Sequence, residues 1–171
     1  MTPRKTLFIL IAPKGAGKTY IGTLVSAHFP IHFLRVEPIW LHHMQHGPQE
    51  VDGWTVVEAA IATAFETHNT VMIESLGAGE GFAKFHHALQ QKYRIRRIRI
   101  QVDLDTCLER VRARSNADHI PVSDDKVQEY NRIAAQVVYN WDLVIDNAGP
   151  ARDRDILAAI QTLLPPPSDA E

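Results

Sequence analysis

The chain alternates short apolar runs with segments whose apolar residues recur every three or four positions. Short apolar runs bounded by turn residues are typical of buried strands, and the longer spacing predicts amphipathic helices. Five runs predict strands, at 7–11, 31–36, 70–74, 95–104 and 141–146. The intervening and final segments predict helices, at about 20–29, 39–47, 54–68, 82–91, 105–114, 123–139 and 152–164. This alternation indicates a three-layer αβα domain around a parallel sheet.

The composition fits one domain with a real hydrophobic core. We expect the domain to span 1–164 of the 171 residues, with 165–171 as a disordered, proline-rich tail. The single cysteine, Cys107, excludes an internal disulfide framework and suits a reducing cytoplasm. No apolar run approaches the ~20 residues that cross a membrane, so we expect a cytoplasmic protein without a membrane partner. The sequence leaves monomer and homodimer open.

The charge pattern gives little reason to expect a nucleic-acid partner. The formal net charge is −2, and a basic cluster falls in the N-terminal half of the predicted fourth strand. Open α/β sheets bind ligands at the opposite, carboxyl end of their strands. We therefore interpret the cluster as a solvated strand end; its members are Lys92, Arg94, Arg96, Arg97 and Arg99.

The clearest chemical motif is Ala12–Thr19, with the sequence APKGAGKT, between the first predicted strand and the first predicted helix. This is the pattern of a P-loop, whose backbone N–H groups surround phosphate oxygens. Lys18 would reach the β- and γ-phosphates from a solvent-facing position, and the Thr19 hydroxyl would hold Mg²⁺. The sequence thus predicts an ATP and Mg²⁺ site, with nucleotide-binding residues Lys14, Gly15, Ala16, Gly17, Lys18, Thr19 and Tyr20.

Two carboxylates are expected at the edge of the sheet where ligands bind. Glu37 precedes Pro38, which cannot continue a strand ladder, so we place Glu37 at the end of the second strand. It is a candidate general base, and a solvated strand-end charge is the alternative. Glu74 ends the third predicted strand and would order Mg²⁺ or contact the acceptor. Our hypothesis assigns the acceptor to Glu37 and the metal to Glu74, although the sequence leaves open which one is the base.

The segment 39–47 predicts a helix that covers a substrate pocket, with Trp40 and three histidines on it. His42 and His46 have the spacing of metal ligands, but only Glu50, across a Gly-Pro turn, could complete such a site. We favour a polar, partly exposed face, and whether His42, His43 and His46 bind substrate stays open. The glycine run at 77–81 predicts a mobile loop over the substrate.

Paired arginines follow the fourth predicted strand. Arg110 and Arg114 share one helix face, whereas Arg112 points elsewhere. A polar segment at 115–122 then separates two helices. This arrangement predicts a short lid that closes on triphosphate, with an ordinary solvated arginine face as the alternative.

Taken together, these motifs resemble the small P-loop kinases: nucleoside monophosphate, shikimate and gluconate kinases and the kinase domain of polynucleotide kinases. The resemblance rests on the P-loop, the lid segment at 106–123 and the strand and turn at 141–149, and it covers nearly the whole chain before the proline tail. It implies strand order 2-3-1-4-5, with Arg110 stacked on adenine and Arg114 touching the transferred phosphoryl group. It also implies adenine binding at Asn147 and Ala148. Glu37 departs from the family, which usually has Asp there.

The resemblance implies a Mg²⁺-dependent kinase that transfers the γ-phosphoryl of ATP to a hydroxyl or phosphate of a small-molecule or nucleotide acceptor. Lys18, Glu37 and Arg114 would be its catalytic residues. No acceptor signature is present, and an RNA or DNA 5′ end stays open. The alternative is a nucleotide-binding regulatory module or a slow NTPase. The lid arginines favour the kinase, because a lid that excludes water protects transfer against hydrolysis.

Overall fold

A five-stranded parallel sheet lies at the centre of the computed structural model, which describes residues 4–114, 120, 122–150 and 152–166. The strand order is β2-β3-β1-β4-β5, which confirms the predicted fold class and topology. The strands are β1 Thr6–Ile11, β2 His32–Phe33, β3 Thr70–Ser75, β4 Arg94–Gln101 and β5 Leu143–Asp146. The helices are α1 Lys18–His28, α2 Val36–His46, α3 Gly53–Thr67, α4 Glu80–Lys92, α5 Leu104–Ala113, α6 Asp124–Ala135 and α7 Asp153–Gln161.

Strand β1 is apolar on both faces because helices cover both sides of the sheet. Successive side chains of a strand point to opposite faces. Phe8 and Leu10 join one buried cluster, with side chains of α1 and α7, and Leu7, Ile9 and Ile11 join the other, with side chains of α3 and α4. Each fully buried Leu or Ile contributes about 1.5–3 kcal/mol. The P-loop therefore starts from the best-packed strand of the sheet.

The prediction of a second strand at 31–36 is mostly wrong. β2 contains only two residues, and α2 begins at Val36, so Glu37 lies in the first turn of a helix and not at a strand end. Pro38 fits this turn because the N–H that proline lacks would have no helical partner there. A proline after a short apolar run can follow the end of a strand or lie in the first turn of a helix. Pro38 lies in the first turn of a helix.

Several other helix and strand boundaries differ from the predicted ones by a few residues. β4 ends at Gln101, and Asp103 caps α5 by accepting a hydrogen bond from the Thr106 N–H at 2.8 Å. Asp52 caps α3. The glycine run is loop only as far as Gly79, because α4 begins with the next residue. The predicted tail lies largely outside the described residues.

Basic side chains of β4 that were predicted to be solvated make contacts within the protein. Arg96 pairs with Asp142 at 2.9 Å, and Arg99 donates to the Ala135 carbonyl at 3.1 Å, both in partly buried positions. The cluster therefore ties β4 to its neighbours instead of forming a fully solvated end. In the described part of the chain, no helix is both long and apolar enough to cross a membrane.

Candidate functional site

The P-loop connects β1 to α1 and requires glycine at two positions. Gly15 and Gly17 have φ of +85° and +102°, a region that other residues rarely adopt. A Cβ at Gly15 would also collide with the Cys107 carbonyl of α5, and one at Gly17 would collide with the Asn147 side chain. The glycines thus serve close packing of the loop as well as its curvature.

Side chains from distant parts of the sequence hold the loop backbone. Asn131 of α6, only 1% exposed, accepts from the Lys14 N–H at 2.7 Å and donates to the Lys14 carbonyl at 3.0 Å. Asn147, just after β5, donates to the Ala16 carbonyl at 2.9 Å. Sequence reasoning missed Asn131; the available signal was an amide on the face of α6 that also carries apolar residues. These bonds fix the shape of the loop from two sides.

Lys18 is buried, so the prediction that it faces solvent is wrong. Its side chain lies at the start of α1, and the residue is only 9% exposed. The ammonium donates to the Ala12 and Pro13 carbonyls at 2.6 and 2.9 Å, which satisfies two of its three donors. Burial lowers the pKa of Lys18 to about 8, although nearby Glu74 and Glu37 oppose the shift. The ammonium is therefore still mainly charged at neutral pH.

Glu37 reaches the site from α2. One of its oxygens, Oε1, lies 3.2 Å from the Lys14 Nζ, and the other, Oε2, accepts from the Ile120 N–H at 3.1 Å. Burial is the main cause of the lowered pKa of Lys14, and the charge of Glu37 opposes that shift. Glu37 thus connects the P-loop, α2 and the lid segment, although its backbone position was predicted wrongly.

Glu74, at the C-terminal end of β3, caps helix α2. Its Oε1 accepts from the backbone N–H groups of Val36 and Glu37 at 2.9 and 3.3 Å, and the residue is only 5% exposed. Its Oε2 is buried without a hydrogen-bond partner among the described residues. Burial raises the pKa of Glu74 to about 7, against the opposing effects of the two amides and Lys18. The capping contact, which places Glu37, was not predicted.

The lid arginines come from the end of α5. Arg110 donates to the Gly15 carbonyl at 3.5 Å and to the Asn147 carbonyl at 2.9 Å, and Arg114 has a buried Nε without a partner among the described residues. Burial also lowers the pKa of Arg114. Arg112 instead pairs with Asp124, in agreement with the predicted helix faces. Residues 115–119 and 121 of the predicted lid lie outside the described residues.

Two cavities meet at the P-loop. The first, of about 200 Å³, is lined by the loop and by Arg110 and Arg114. The second, of about 560 Å³, extends towards α2 and α3 and includes Trp40 and Trp54 in its wall. Four charged residues line both cavities: Lys14, Lys18, Glu37 and Glu74.

Several solved structures with a similar arrangement are kinases or candidate kinases. A candidate kinase from Chloroflexus aurantiacus J-10-fl has a TM-score of 0.68 at 16% identity, covering 95% of this chain and 100% of that one. The shikimate kinase of Acinetobacter baumannii, in complex with shikimate, has a TM-score of 0.59 at 17% identity, covering 94% and 93%. The deoxyadenosine kinase of M. mycoides, with bound dATP, has a TM-score of 0.59 at 12% identity, covering 92% and 98%. The fold is that of the small P-loop kinases.

At these identities the likeness is one of fold, and no protein-family model or curated protein sequence matches the chain. Of the remaining predicted nucleotide residues, Tyr20 lines the first cavity, whereas Asn147 and Ala148 do not. Tyr20 is half exposed, with its hydroxyl hydrogen-bonded to Asp153 of α7. Ala148 is exposed, and its N–H donates to Asp146 at 3.0 Å. Adenine binding at Asn147 and Ala148 stays a prediction.

The site at the P-loop has oxygen ligands that fit Mg²⁺. Thr19 and Glu74 line the same small cavity, and the free Oε2 of Glu74 is a hard oxygen ligand of the kind that Mg²⁺ prefers. The histidines predicted as possible ligands do not line either cavity, and His43 instead bonds to the Val51 carbonyl at 2.6 Å. Within the described ranges, no three His, Cys, Asp or Glu side chains form a metal-binding group.

Proposed function

We propose that this chain is a Mg²⁺-dependent phosphotransferase that moves the γ-phosphoryl group of ATP to a hydroxyl of a small acceptor. The observation that carries the proposal is the junction of two cavities at Lys18 and Glu37. A protein that only bound or slowly hydrolysed a nucleotide would need the first cavity alone. The second cavity gives room for an acceptor beside the transferred group.

On the nucleotide side, the chain supplies positive charge and backbone donors. The N–H groups of the P-loop would surround the β-phosphate, and Lys18 would exchange its bonds to the loop carbonyls for phosphate oxygens. Mg²⁺, when held by Thr19 and the waters around Glu74, would neutralise charge on the β- and γ-phosphates. Arg114, which lines the same cavity and whose Nε has no partner among the described residues, would stabilise the charge on the transferred group.

On the acceptor side, Glu37 is the better candidate for aligning the hydroxyl. Both glutamates line both cavities, but Glu74 is only 5% exposed and is fixed by the two amides of α2, whereas the Glu37 side chain is 25% exposed. In the transfer, the acceptor oxygen forms a bond to the γ-phosphorus while the bond from that phosphorus to the ADP oxygen breaks. The hydroxyl proton passes to the Glu37 carboxylate and then to water. Catalysis would thus consist of positioning and charge neutralisation.

An ATP-consumption screen tests the proposal. The protein is incubated with ATP, Mg²⁺ and single acceptors drawn from nucleosides, nucleotides, sugars, aromatic alcohols and RNA 5′ ends, and ADP and phosphorylated product are both measured. We expect ADP formation that depends on one acceptor class and matches product formation. ATP hydrolysis at the same rate with every acceptor would contradict the proposal and support a slow NTPase.

A further inference from the structure

We infer that the acceptor is an uncharged molecule with a flat aromatic body and a hydroxyl, and that the body lies in the second cavity against Trp40 and Trp54. This inference rests on the proposed phosphotransfer, and it names the class of substrate that the same site takes. Three properties of the second cavity carry it: a fixed aromatic wall, an apolar lining and the distribution of charge.

The aromatic wall is held rigidly by its own packing. Trp40 of α2 and Trp54 of α3 meet edge to face, with ring centroids 5.4 Å apart and an interplanar angle of 83°. Trp40 packs directly on Gly53, where a Cβ would collide with the ring. Trp54 contacts Phe85 of α4, with centroids 4.6 Å apart. Two large rings fixed before binding provide apolar contact with little loss of side-chain entropy.

The remaining wall is also mainly apolar. Its apolar part is formed by side chains from α2, the loop after β3, the lid segment and α6, namely Val36, Leu76, Ala78, Ile120, Val122 and Tyr130, and Ser75 and Ser123 also line the cavity. The cavity volume of about 560 Å³ is within the range of about 300–1,000 Å³ that is usual for sites of drug-sized molecules. A small, highly hydroxylated acceptor would leave much of this apolar surface uncovered.

Charge around the cavity disfavours an anionic acceptor. Glu37 and Glu74 lie at its inner end, where Lys14 pairs with Glu37 and Lys18 bonds to the loop carbonyls. The third lining cation, Lys126, is exposed and pairs with Glu129 at 3.2 Å.

Arginine, the usual partner of carboxylates and phosphates, is missing from this lining. No arginine of the described residues lines the second cavity. The rest of the lid, at 115–119 and 121, contains neither Lys nor Arg in the sequence. A carboxylate or phosphate on the acceptor would therefore lose its hydration beside two glutamates, while the lysines of the lining already hold other partners.

Matched pairs of acceptors test the inference by binding as well as by turnover. The first pair is thymidine and thymidine 5′-monophosphate; the second is 4-biphenylmethanol and its 4′-carboxylate derivative. Affinities are measured by calorimetry on the full chain with a non-hydrolysable ATP analogue and Mg²⁺, and turnover is measured with ATP. We expect the uncharged member of a pair to bind at least about tenfold more tightly than the anionic member.

Variants of the wall locate the bound molecule. Trp40→Ala should weaken binding of the uncharged member at least about tenfold, while Trp40→Phe, which keeps an aromatic ring, should retain most of it. Trp141→Phe is the control, because Trp141 packs against Tyr139 and does not line the second cavity. Circular dichroism checks that each variant is folded, and Trp40→Leu, which keeps an apolar side chain but no ring, carries the test if Trp40→Ala unfolds.

The outcomes separate this inference from the proposed function. Equal or tighter binding of the anionic members, or unchanged binding in the Trp40 variants, would overturn the acceptor class. Turnover with anionic acceptors alone would overturn it too, while supporting phosphotransfer. Tight binding of the uncharged members without acceptor-dependent turnover would support the cavity assignment and contradict the phosphotransferase.

Discussion

Single residues of the P-loop site are held by contacts that the local sequence does not reveal. The Lys18 ammonium lies on two carbonyls of its own loop, and Asn131 binds both backbone groups of Lys14 from 117 residues away. Each of these polar groups is buried and therefore needs a partner within the protein. A substitution of one of these residues can therefore affect both turnover and stability, and both should be measured.

Replacing Lys18 with alanine should abolish turnover. The ammonium is the cation of the P-loop nearest the expected phosphates, and losing it should reduce kcat at least about 10³-fold. ADP formation under saturating ATP and Mg²⁺ measures the effect, with circular dichroism as the check on folding. Lys84→Ala is a suitable control, because Lys84 is an exposed residue of α4 with only an ion pair to Glu80. Near-native turnover of Lys18→Ala would rule out the proposed phosphate site.

The three lid arginines should differ when each is changed to alanine. Arg114→Ala should lower kcat by roughly 10²–10⁴-fold, because its charge would act on the transferred group. Arg110→Ala should mainly raise the KM for ATP, because its proposed stacking acts in the ground and transition states alike. Arg112, which pairs with Asp124 away from both cavities, should tolerate the change. Steady-state kinetics in ATP distinguish them, and equal effects at all three positions would contradict these roles.

At the scale of elements, α2 is positioned by a carboxylate from another strand. Glu74 of β3 accepts from the first N–H groups of α2, which otherwise lack partners at a helix start. The helix carries both Glu37 and Trp40, so the same contact places the proposed base and one wall of the second cavity. Since Glu74 also faces Lys18, the phosphate side and the acceptor side of the site share one side chain.

Glutamine and alanine at position 74 should separate the capping contact from the charge. Glu74→Gln retains an oxygen for the amides of α2, whereas Glu74→Ala leaves them unsatisfied and should cost about 1–2 kcal/mol of unfolding free energy. Urea denaturation measures this difference. A further readout is activity: the defect of Glu74→Gln should be partly restored by added Mg²⁺. Equal stability of the two variants would show that the cap contributes little.

Glu37→Gln should produce a different defect from either change at position 74. It removes the proposed base but no predicted nucleotide contact, so transfer should fall while ATP affinity stays nearly unchanged. A nucleotide-binding titration at low and high Mg²⁺, paired with transfer rates, makes the comparison. If Glu37→Gln loses ATP affinity, or if Mg²⁺ rescues it and not Glu74→Gln, the two carboxylates have been assigned the wrong way round.

The sequence predicted the parts of the site whose geometry is local. Gly15 and Gly17 shape the P-loop through their own backbone angles, and Arg110 and Arg114 share a cavity because of their spacing on one helix. The sequence did not predict contacts between distant elements, such as the hydrogen bonds of Asn131 with Lys14 and of Glu74 with α2. The position of Glu37 was wrong because Pro38 permits both a strand end and a first helical turn.

At the scale of the whole molecule, the two helical layers bury polar groups as well as apolar ones. His86 of α4 is buried in the layer opposite α1, where its Nε2 accepts from the Arg97 Nε at 3.0 Å. Its ring also contacts Phe82 and Tyr139. Burial, with the charges of Arg97 and His87 as further causes, lowers the pKa of His86 to about 4. Between about pH 4 and pH 6.5, the folded protein therefore keeps this imidazole neutral, whereas the unfolded chain protonates it.

Acid should destabilise the protein through His86. With the pKa below the ordinary value of 6.5, the unfolded chain binds the proton more readily, so stability is full above about pH 6.5 and falls towards pH 4. The contribution lost between about pH 7 and pH 5 should be about 1 kcal/mol. Urea denaturation at both pH values should show a smaller pH effect in His86→Gln than in the wild type. His28→Gln, at an exposed position on α1, is the control and should leave the pH effect largely unchanged.

The long-range bonds to the P-loop also set an order of events during synthesis. The loop leaves the ribosome early, but Asn147 follows Ala16 by 131 residues, which takes about 7–26 s at about 5–20 residues per second. Until then the nascent chain carries a glycine-rich loop without all the side chains that shape it, and for the first part of that time the central strand also lacks its neighbour β4. Nucleotide can therefore assist only the last stage of folding, when nearly the whole domain has been made.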